Sequence, residues 1–198
     1  MNLEKISYIP IESILDIGAQ IGDFTVLCKK IWPSSKIVCI EANTQCDLYL
    51  KSLGVEYYLE VLSDSVKEVD FYTHIGSAVH TGNSYYKENT RFFTPGQYVI
   101  LKKTTSTLDL LLKGRTFDLI KIDTQGSEID IIKGGLDICK SANYILLEVA
   151  LTDYNIGAPQ YDDVVSFMDS IGYEMFDILE EHYDELTKIQ IDILFKKK

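Results

Sequence analysis

The sequence predicts an α/β fold, a doubly wound and mostly parallel sheet with helices on both faces. Three observations predict it. Short runs rich in Ile, Val and Leu, at residues 13–17, 36–41, 117–123 and 144–149, alternate with segments whose apolar residues recur at helical spacing. Glycines close several of the helical segments, as C-terminal caps prefer. The first apolar run also leads directly into a glycine turn, "ILDIGAQIG" at 14–22.

The elements follow in order. Strand 13–17 feeds a helix over 22–31, and strand 36–41 feeds a helix over 46–53 that stops at Gly54. After a strand at 57–61 comes another strand-like run, "KEVDFYTH" (67–74), so a hairpin is expected in place of a crossover helix. Residues 74–98 mix Gly, Ser, Thr, Asn and aromatics without a period, which reads as a functional loop or lid. Helix 106–112 stops before Gly114, strand 117–123 precedes helix 127–133 and Gly134, and strand 144–149 precedes helix 161–171 and Gly172. At the end "YEMFDI" (173–178) and "KIQIDILF" (188–195) read as an antiparallel pair closing the sheet.

With 198 residues, 46% of them hydrophobic and 25% charged, one domain over 1–198 is expected. A formal charge of -11 and a pI near 4.7 disfavour a nucleic-acid or anionic-membrane surface and leave a small or cationic ligand easier to hold. No apolar stretch approaches the roughly 20 residues that cross a bilayer, and charges and a proline interrupt the first 18 residues, so a cytoplasmic location is expected. The four cysteines show no C-x-x-C spacing and read as reduced, packed thiols. The closing "KKK" reads as a solvated tail.

In doubly wound sheets the ligand sits outside the carboxyl ends of the strands, where the first strand-to-helix turn makes the closest backbone contacts. Gly18 and Gly22 let that backbone approach, and amides at the helix start are expected to bond the ligand. A nicotinamide oxidoreductase is disfavoured, because G-x-G-x-x-G would need glycine where Gln20 and Asp23 stand. Asp16, at the strand end, suits a cation better, and S-adenosylmethionine carries both an ammonium and a sulfonium. Glu41 ends the second strand roughly 20 residues past the turn, where an acid can accept both ribose hydroxyls of an adenosine. The bland alternative is that both acids only cap strand ends. Asp123 ends a further strand before a turn at Gly126, so Asp16, Glu41 and Asp123 are expected to meet in one pocket.

With these motifs in order, the chain resembles the FkbM-like family of class I S-adenosylmethionine-dependent methyltransferases. "DIGAQIGDF" resembles its glycine motif, "CIEAN" its acidic ribose motif, "TTSTLDLLL" followed by "FDLIKIDTQGSEIDIIKGG" its most characteristic block, and "YILLEV" the next strand. The resemblance spans about residue 14 to about residue 178. It implies a seven-stranded methyltransferase-type Rossmann-like sheet with an antiparallel C-terminal strand and an extra hairpin or loop insertion around 66–98. It also implies methyl transfer, usually to a hydroxyl of a sugar or other secondary product. By position Asp16, Gly18, Gly22 and Glu41 would hold the cofactor with Ala19, Gln20 and Ala42 beside them. Leu62 and Ser63 would lie near adenine, and Asp123 near the reactive methyl. Ala42 replaces a common proline, and Gln125 stands where many members carry glutamate.

A sugar hydroxyl needs a general base. His80, in the loop, is the first candidate, and Asp123 and Glu148 compete with it. Lys121 lies in an apolar run, and an ion pair with Glu148 is the plain explanation for it. Asn83, Ser84 and Tyr85, with Gln125 and Glu128, are candidate acceptor contacts, although the macrodipole already explains an acid at a helix start. Phe92 and Phe93 are expected to pack on the sheet edge, and His182 to lie on the surface. No His, Cys and carboxylate spacing suggests zinc, so no metal is assigned, and the phosphate loop G-x-x-x-x-G-K-[ST] is absent. The expected partner is a small-molecule or glycan acceptor, with no nucleic acid and no membrane. A non-catalytic cofactor-binding or assembly subunit of the same fold is the alternative. The sequence specifies no oligomeric state.

Overall fold

The computed structural model describes residues 1–75, 80, 82–91 and 93–198. Its main sheet is built from β1 (Ser13–Ile17), β2 (Lys36–Glu41), β3 (Glu56–Leu59), β7 (Leu119–Ile122), β8 (Tyr144–Ala150), β9 (Tyr173–Asp184) and β10 (Thr187–Lys197). The order is β3-β2-β1-β7-β8-β10-β9, parallel as far as β8 and antiparallel at β10 and β9. Strand order reverses between β1 and β7, and the crevice therefore opens at their carboxyl ends. The C-terminal pair closes the sheet as the sequence predicts, and Lys196 and Lys197 continue β10 instead of forming a tail.

Alternation along the strands sends side chains to two faces. Leu15, Ile17, Ile120, Ile122, Leu147 and Ile193 join one buried cluster, and Ile14, Cys39, Leu119, Leu146 and Leu194 join the other. The second face also carries α1 (Asp23–Ile31) and α2 (Asp47–Ser52), which supply Phe24, Cys28 and Leu50. The first is covered by α4 (Glu128–Lys133), α5 (Leu136–Ser141) and α6 (Tyr161–Ser170). All four cysteines are buried and free. Among the described residues no helix is long and apolar enough to cross a membrane.

Three local expectations are corrected. The strand expected at 57–61 breaks at Glu60, and its last part becomes β4 (Val61–Leu62) in a separate sheet ordered β4-β6-β5. There β5 (Glu68–His74) pairs antiparallel with β6 (Tyr98–Ser106), a strand not foreseen, because the run Val99, Ile100, Leu101 is exposed and shows no alternating buried face. The helix expected at 106–112 contracts to α3 (Leu108–Leu111), with the Thr107 side chain accepting from the Leu110 amide at its start. Gly134 is not a left-handed cap: its φ is -78°, and glycine is needed there because a Cβ would stand 2.1 Å from the Ser63 carbonyl oxygen. A second short helix, α5, follows it directly.

Candidate active site

A cavity of about 270 Å³ lies at the carboxyl ends of β1, β2 and β7. From the first turn it is lined by Gly18, Ala19 and Gln20, from β2 and its exit by Glu41, Ala42 and Asn43, and from β7 and its exit by Lys121, Asp123 and Gln125. The β4 residues Val61 and Leu62 with Phe71 form an apolar wall, and His80, Asn83, Ser84 and Tyr85 line it from the insertion.

The glycine turn works differently from the expectation. The amides of Gly18 and Ala19 donate to the Ile40 carbonyl at 2.9 and 3.2 Å, that of Gln20 to Glu41 Oε2 at 2.7 Å, and that of Gly22 to the Ala19 carbonyl at 2.8 Å. The first three donors hold the turn to β2 and the fourth closes the turn on itself, leaving carbonyls and side chains to meet a ligand. Gly18 has φ 75°, and a Cβ there would stand 1.8 Å from the Asp123 carbonyl oxygen, so the turn can close on β7 only with glycine. Gly22 has φ 95° and packs against Leu53, away from the cavity lining.

Glu41 sits at the centre of this arrangement. Its Oε2 accepts from Gln20 N and its Oε1 from Asn43 N, each at 2.7 Å, which fixes the carboxylate plane on the cavity wall. Burial pushes its carboxyl up, and the two amide bonds oppose that shift. Asn43 uses Oδ1 to accept from Gln45 N, while its buried Nδ2 has no hydrogen-bond partner among the described residues. This residue was missed, although "CIEAN" contains it: the sequence reading stopped at the acid.

Asp16 is not a wall of the cavity. Its side chain is 0% exposed beneath the turn, where Oδ2 accepts from Thr25 Oγ1 at 2.8 Å and Oδ1 lies 3.6 Å from Lys121 Nζ. Strand register explains this, since Asp16 pairs with Lys121 across β1 and β7 on the helix-covered face. Lys121 accordingly partners Asp16 and, at 3.1 Å, Asp123, while facing the Phe24 ring 5.4 Å away; the expected Glu148 pair does not form. Burial acts to lower the Lys121 ammonium, and the two carboxylates more than offset it, so the group stays charged. The acids at the strand ends are therefore partly neutralised from within the protein.

Asp123 reaches both the cavity and a polar group behind it. Gln125, at φ 56°, donates from Nε2 to Asp123 Oδ1 at 3.3 Å and to Glu148 Oε2 at 2.5 Å. Glu148 does not line the cavity. Its Oε2 also accepts from Gln190 Nε2 at 2.9 Å, and its Oε1 faces His182 Nε2 at 3.9 Å. His182 is half-buried against Asp192, at 3.4 Å, and not on the open surface. Burial, then Asp123 and Asp192, drives the Glu148 carboxyl well up; burial likewise raises Asp192. Sequence spacing concealed this group because its members come from three strands.

Glu128 is turned inward. Its Oε1 accepts from Thr124 N, Gly126 N and Thr124 Oγ1 at 2.9, 3.2 and 3.2 Å, which ties the β7 exit loop to α4 and keeps the carboxylate out of the cavity lining. Ser63 is also off the lining: it is fully buried, with Oγ near Asp64 Oδ1 and Tyr85 OH at 3.2 Å each, whereas its neighbour Leu62 reaches the cavity. On the insertion side, Asn83 Oδ1 accepts from His74 N at 2.9 Å, and Ser84 exchanges backbone bonds with Tyr72. Tyr85 OH reaches Asp130 Oδ2 at 3.2 Å. The exposed His80 ring stacks on His74 at 4.0 Å and 10°. Phe93 is buried and stacked on Tyr98 at 4.4 Å, as packing required, and Phe92 lies outside the described residues.

Comparison with known proteins adds the following. The family model described as "Methyltransferase FkbM domain" matches residues 16–175. No curated protein matches the chain. Among solved structures, magnesium protoporphyrin IX methyltransferase from Synechocystis PCC 6803, with bound SAM, superposes at a TM-score of 0.57 and 8% identity over 99% of this chain and 74% of that one. A TehB-like SAM-dependent methyltransferase from Corynebacterium glutamicum gives 0.51 and 15% over 98% and 85%. The Burkholderia thailandensis 1,6-didemethyltoxoflavin-N1-methyltransferase, with S-adenosylhomocysteine and its substrate bound, gives 0.54 and 9% over 99% and 75%.

Proposed function

The chain belongs to the FkbM methyltransferase family, and from that premise we propose that it methylates an oxygen of a small metabolite or glycan precursor. Its cofactor is S-adenosylmethionine. The observation that carries the reading is Glu41, fixed on the cavity wall by two backbone amides. Each of its oxygens has a second lone pair, so the carboxylate can accept both ribose hydroxyls of an adenosine without giving up Gln20 N or Asn43 N. The buried Nδ2 of Asn43 adds a donor without an acceptor among the described residues at the same wall. Leu62, Val61 and Phe71 offer an apolar surface suited to the adenine.

When bound, the sulfonium supplies an activated methyl group and its own leaving group. What remains for the protein is to align the acceptor and take its proton. We assign the proton to His80. Asp123 is engaged by Lys121 and Gln125, and Glu148 is engaged by two amides outside the cavity, whereas His80 presents an exposed imidazole to the lining and is steadied by its stack on His74. Asn83, Ser84 and Tyr85 form the wall next to it, and their mixed polar and aromatic surface suits a partly apolar hydroxylated acceptor. The net charge supports a small molecule over nucleic acid or an anionic membrane, and four free cysteines support a reducing compartment such as the cytoplasm.

Isothermal titration with S-adenosylmethionine and S-adenosylhomocysteine tests the cofactor site. Glu41→Gln is expected to weaken binding by roughly ten- to a hundredfold, the equivalent of hydrogen bonds to a charged group. Failure of the unaltered protein to bind either compound would refute the assignment.

A further inference from the structure

We propose that Glu148, His182 and Asp192 form a binding site for a single divalent metal ion of zinc-like preference, beside the cavity and separate from the cofactor wall. One ligand atom from each of Glu148, His182 and Asp192 lies within 4.8 Å of the other two, with His182 Nε2 3.9 Å from Glu148 Oε1 and 3.4 Å from Asp192 Oδ2. Strand pairing puts them there. Asp192 and Glu148 stand directly opposite on β10 and β8, and His182 faces Gln190 across β9 and β10.

Two features separate this group from an ordinary polar cluster. Carboxylates directly opposite on neighbouring strands repel, and these two are largely buried, so a cation between them relieves the repulsion. His182 Nε2 lies 3.4 Å from Asp192 and 3.9 Å from Glu148, yet that buried atom makes no hydrogen bond among the described residues. Donor atoms held about 2.1 Å from a shared tetrahedral ion stand about 3.4 Å apart; His182 Nε2 and Asp192 Oδ2 are at that distance, and Glu148 Oε1 stands 3.9 Å from His182 Nε2.

The surroundings complete the pattern. Gln125 and Gln190 both donate to Glu148 Oε2, which leaves Oε1 turned toward the histidine, an outer-shell arrangement that orients ligating carboxylates. One imidazole and two carboxylates favour zinc or a neighbouring first-row ion over magnesium. Two negative ligands balance the ion's charge, and three protein ligands leave a fourth position open. Through Gln125 the group is tied to Asp123, on the cavity wall, so the ion would lie on the side of the cavity away from Glu41.

The test is titration of the chelator-dialysed full chain with Zn²⁺, with Mg²⁺ as the control, and with Co²⁺ for its visible spectrum. One equivalent of Zn²⁺ is expected, with a nitrogen-containing tetrahedral cobalt spectrum. His182→Gln and Asp192→Asn are each expected to weaken binding by at least about tenfold, and Gln190→Ala by roughly ten- to a hundredfold. Absence of saturable Zn²⁺ binding, tighter binding of Mg²⁺, or affinity unchanged by His182→Gln and Asp192→Asn overturns the proposal. If one substitution unfolds the chain, by circular dichroism, the other decides. S-adenosylmethionine titration of the same samples is read separately, so loss of the metal site and failure of the cofactor assignment are distinguishable.

Discussion

Glu128→Gln tests how far burial controls this molecule's acid–base behaviour. Glu128 is 6% exposed, and burial, the largest influence on it, pushes its carboxyl up from 4.5 to about 7. A carboxyl raised in the folded state binds its proton there more tightly than in the unfolded chain. Stability from this group is therefore complete below the unfolded value near 4.5 and falls as pH rises through about 7. Each pKa unit is about 1.4 kcal/mol, so the full gap amounts to about 3 kcal/mol. Between about pH 5.5 and about pH 8.5 the linkage relation assigns about 2 kcal/mol of that loss. Glutamine keeps the Oε1 acceptor for Thr124 N, Thr124 Oγ1 and Gly126 N and carries no charge to desolvate. Urea unfolding at the two pH values should show the unaltered protein losing about 2 kcal/mol more than the variant, which becomes the more stable of the two at alkaline pH. Parallel stability–pH curves for the two proteins would refute the reasoning, because burial would then not be setting this carboxyl.

Three further outcomes are expected. Lys121→Met should destabilise the fold by roughly 3–5 kcal/mol in denaturant titrations, since it strands Asp16 without a counter-charge, and Asp16→Asn in the same chain should recover much of the loss. Gly18→Ala should lower the thermal midpoint and abolish cofactor binding together, because its methyl group would collide with the Asp123 carbonyl; a normal melt would show that the turn can move. His80→Ala should leave S-adenosylmethionine affinity intact while slowing methyl transfer to the acceptor by roughly a hundredfold or more, and full turnover would remove His80 from the chemistry.

The main sheet was legible because its signals are local. Each parallel strand carries its own run of apolar residues, and Gly54 and Gly172 both adopt positive φ at the ends of their helices, so each element could be placed without knowing its neighbours. The strand Tyr98–Ser106 failed that test, since its apolar residues face outward and only its pairing with Glu68–His74 defines it. Glu41 could be found for the same local reason, at a strand end a fixed distance past the glycine turn.

The order of side chains along the strands determined, by itself, that Glu41 and Asp123 would stand at the same edge of the sheet. Register and facing belonged to the tertiary structure. The step that pairs Asp16 with Lys121 turns that acid beneath a helix, and the antiparallel return of the last strand sets Asp192 against Glu148 and brings His182 to both. Charges placed by strands far apart in sequence interact only once those strands lie about 5 Å apart, and no spacing along the chain encodes that approach.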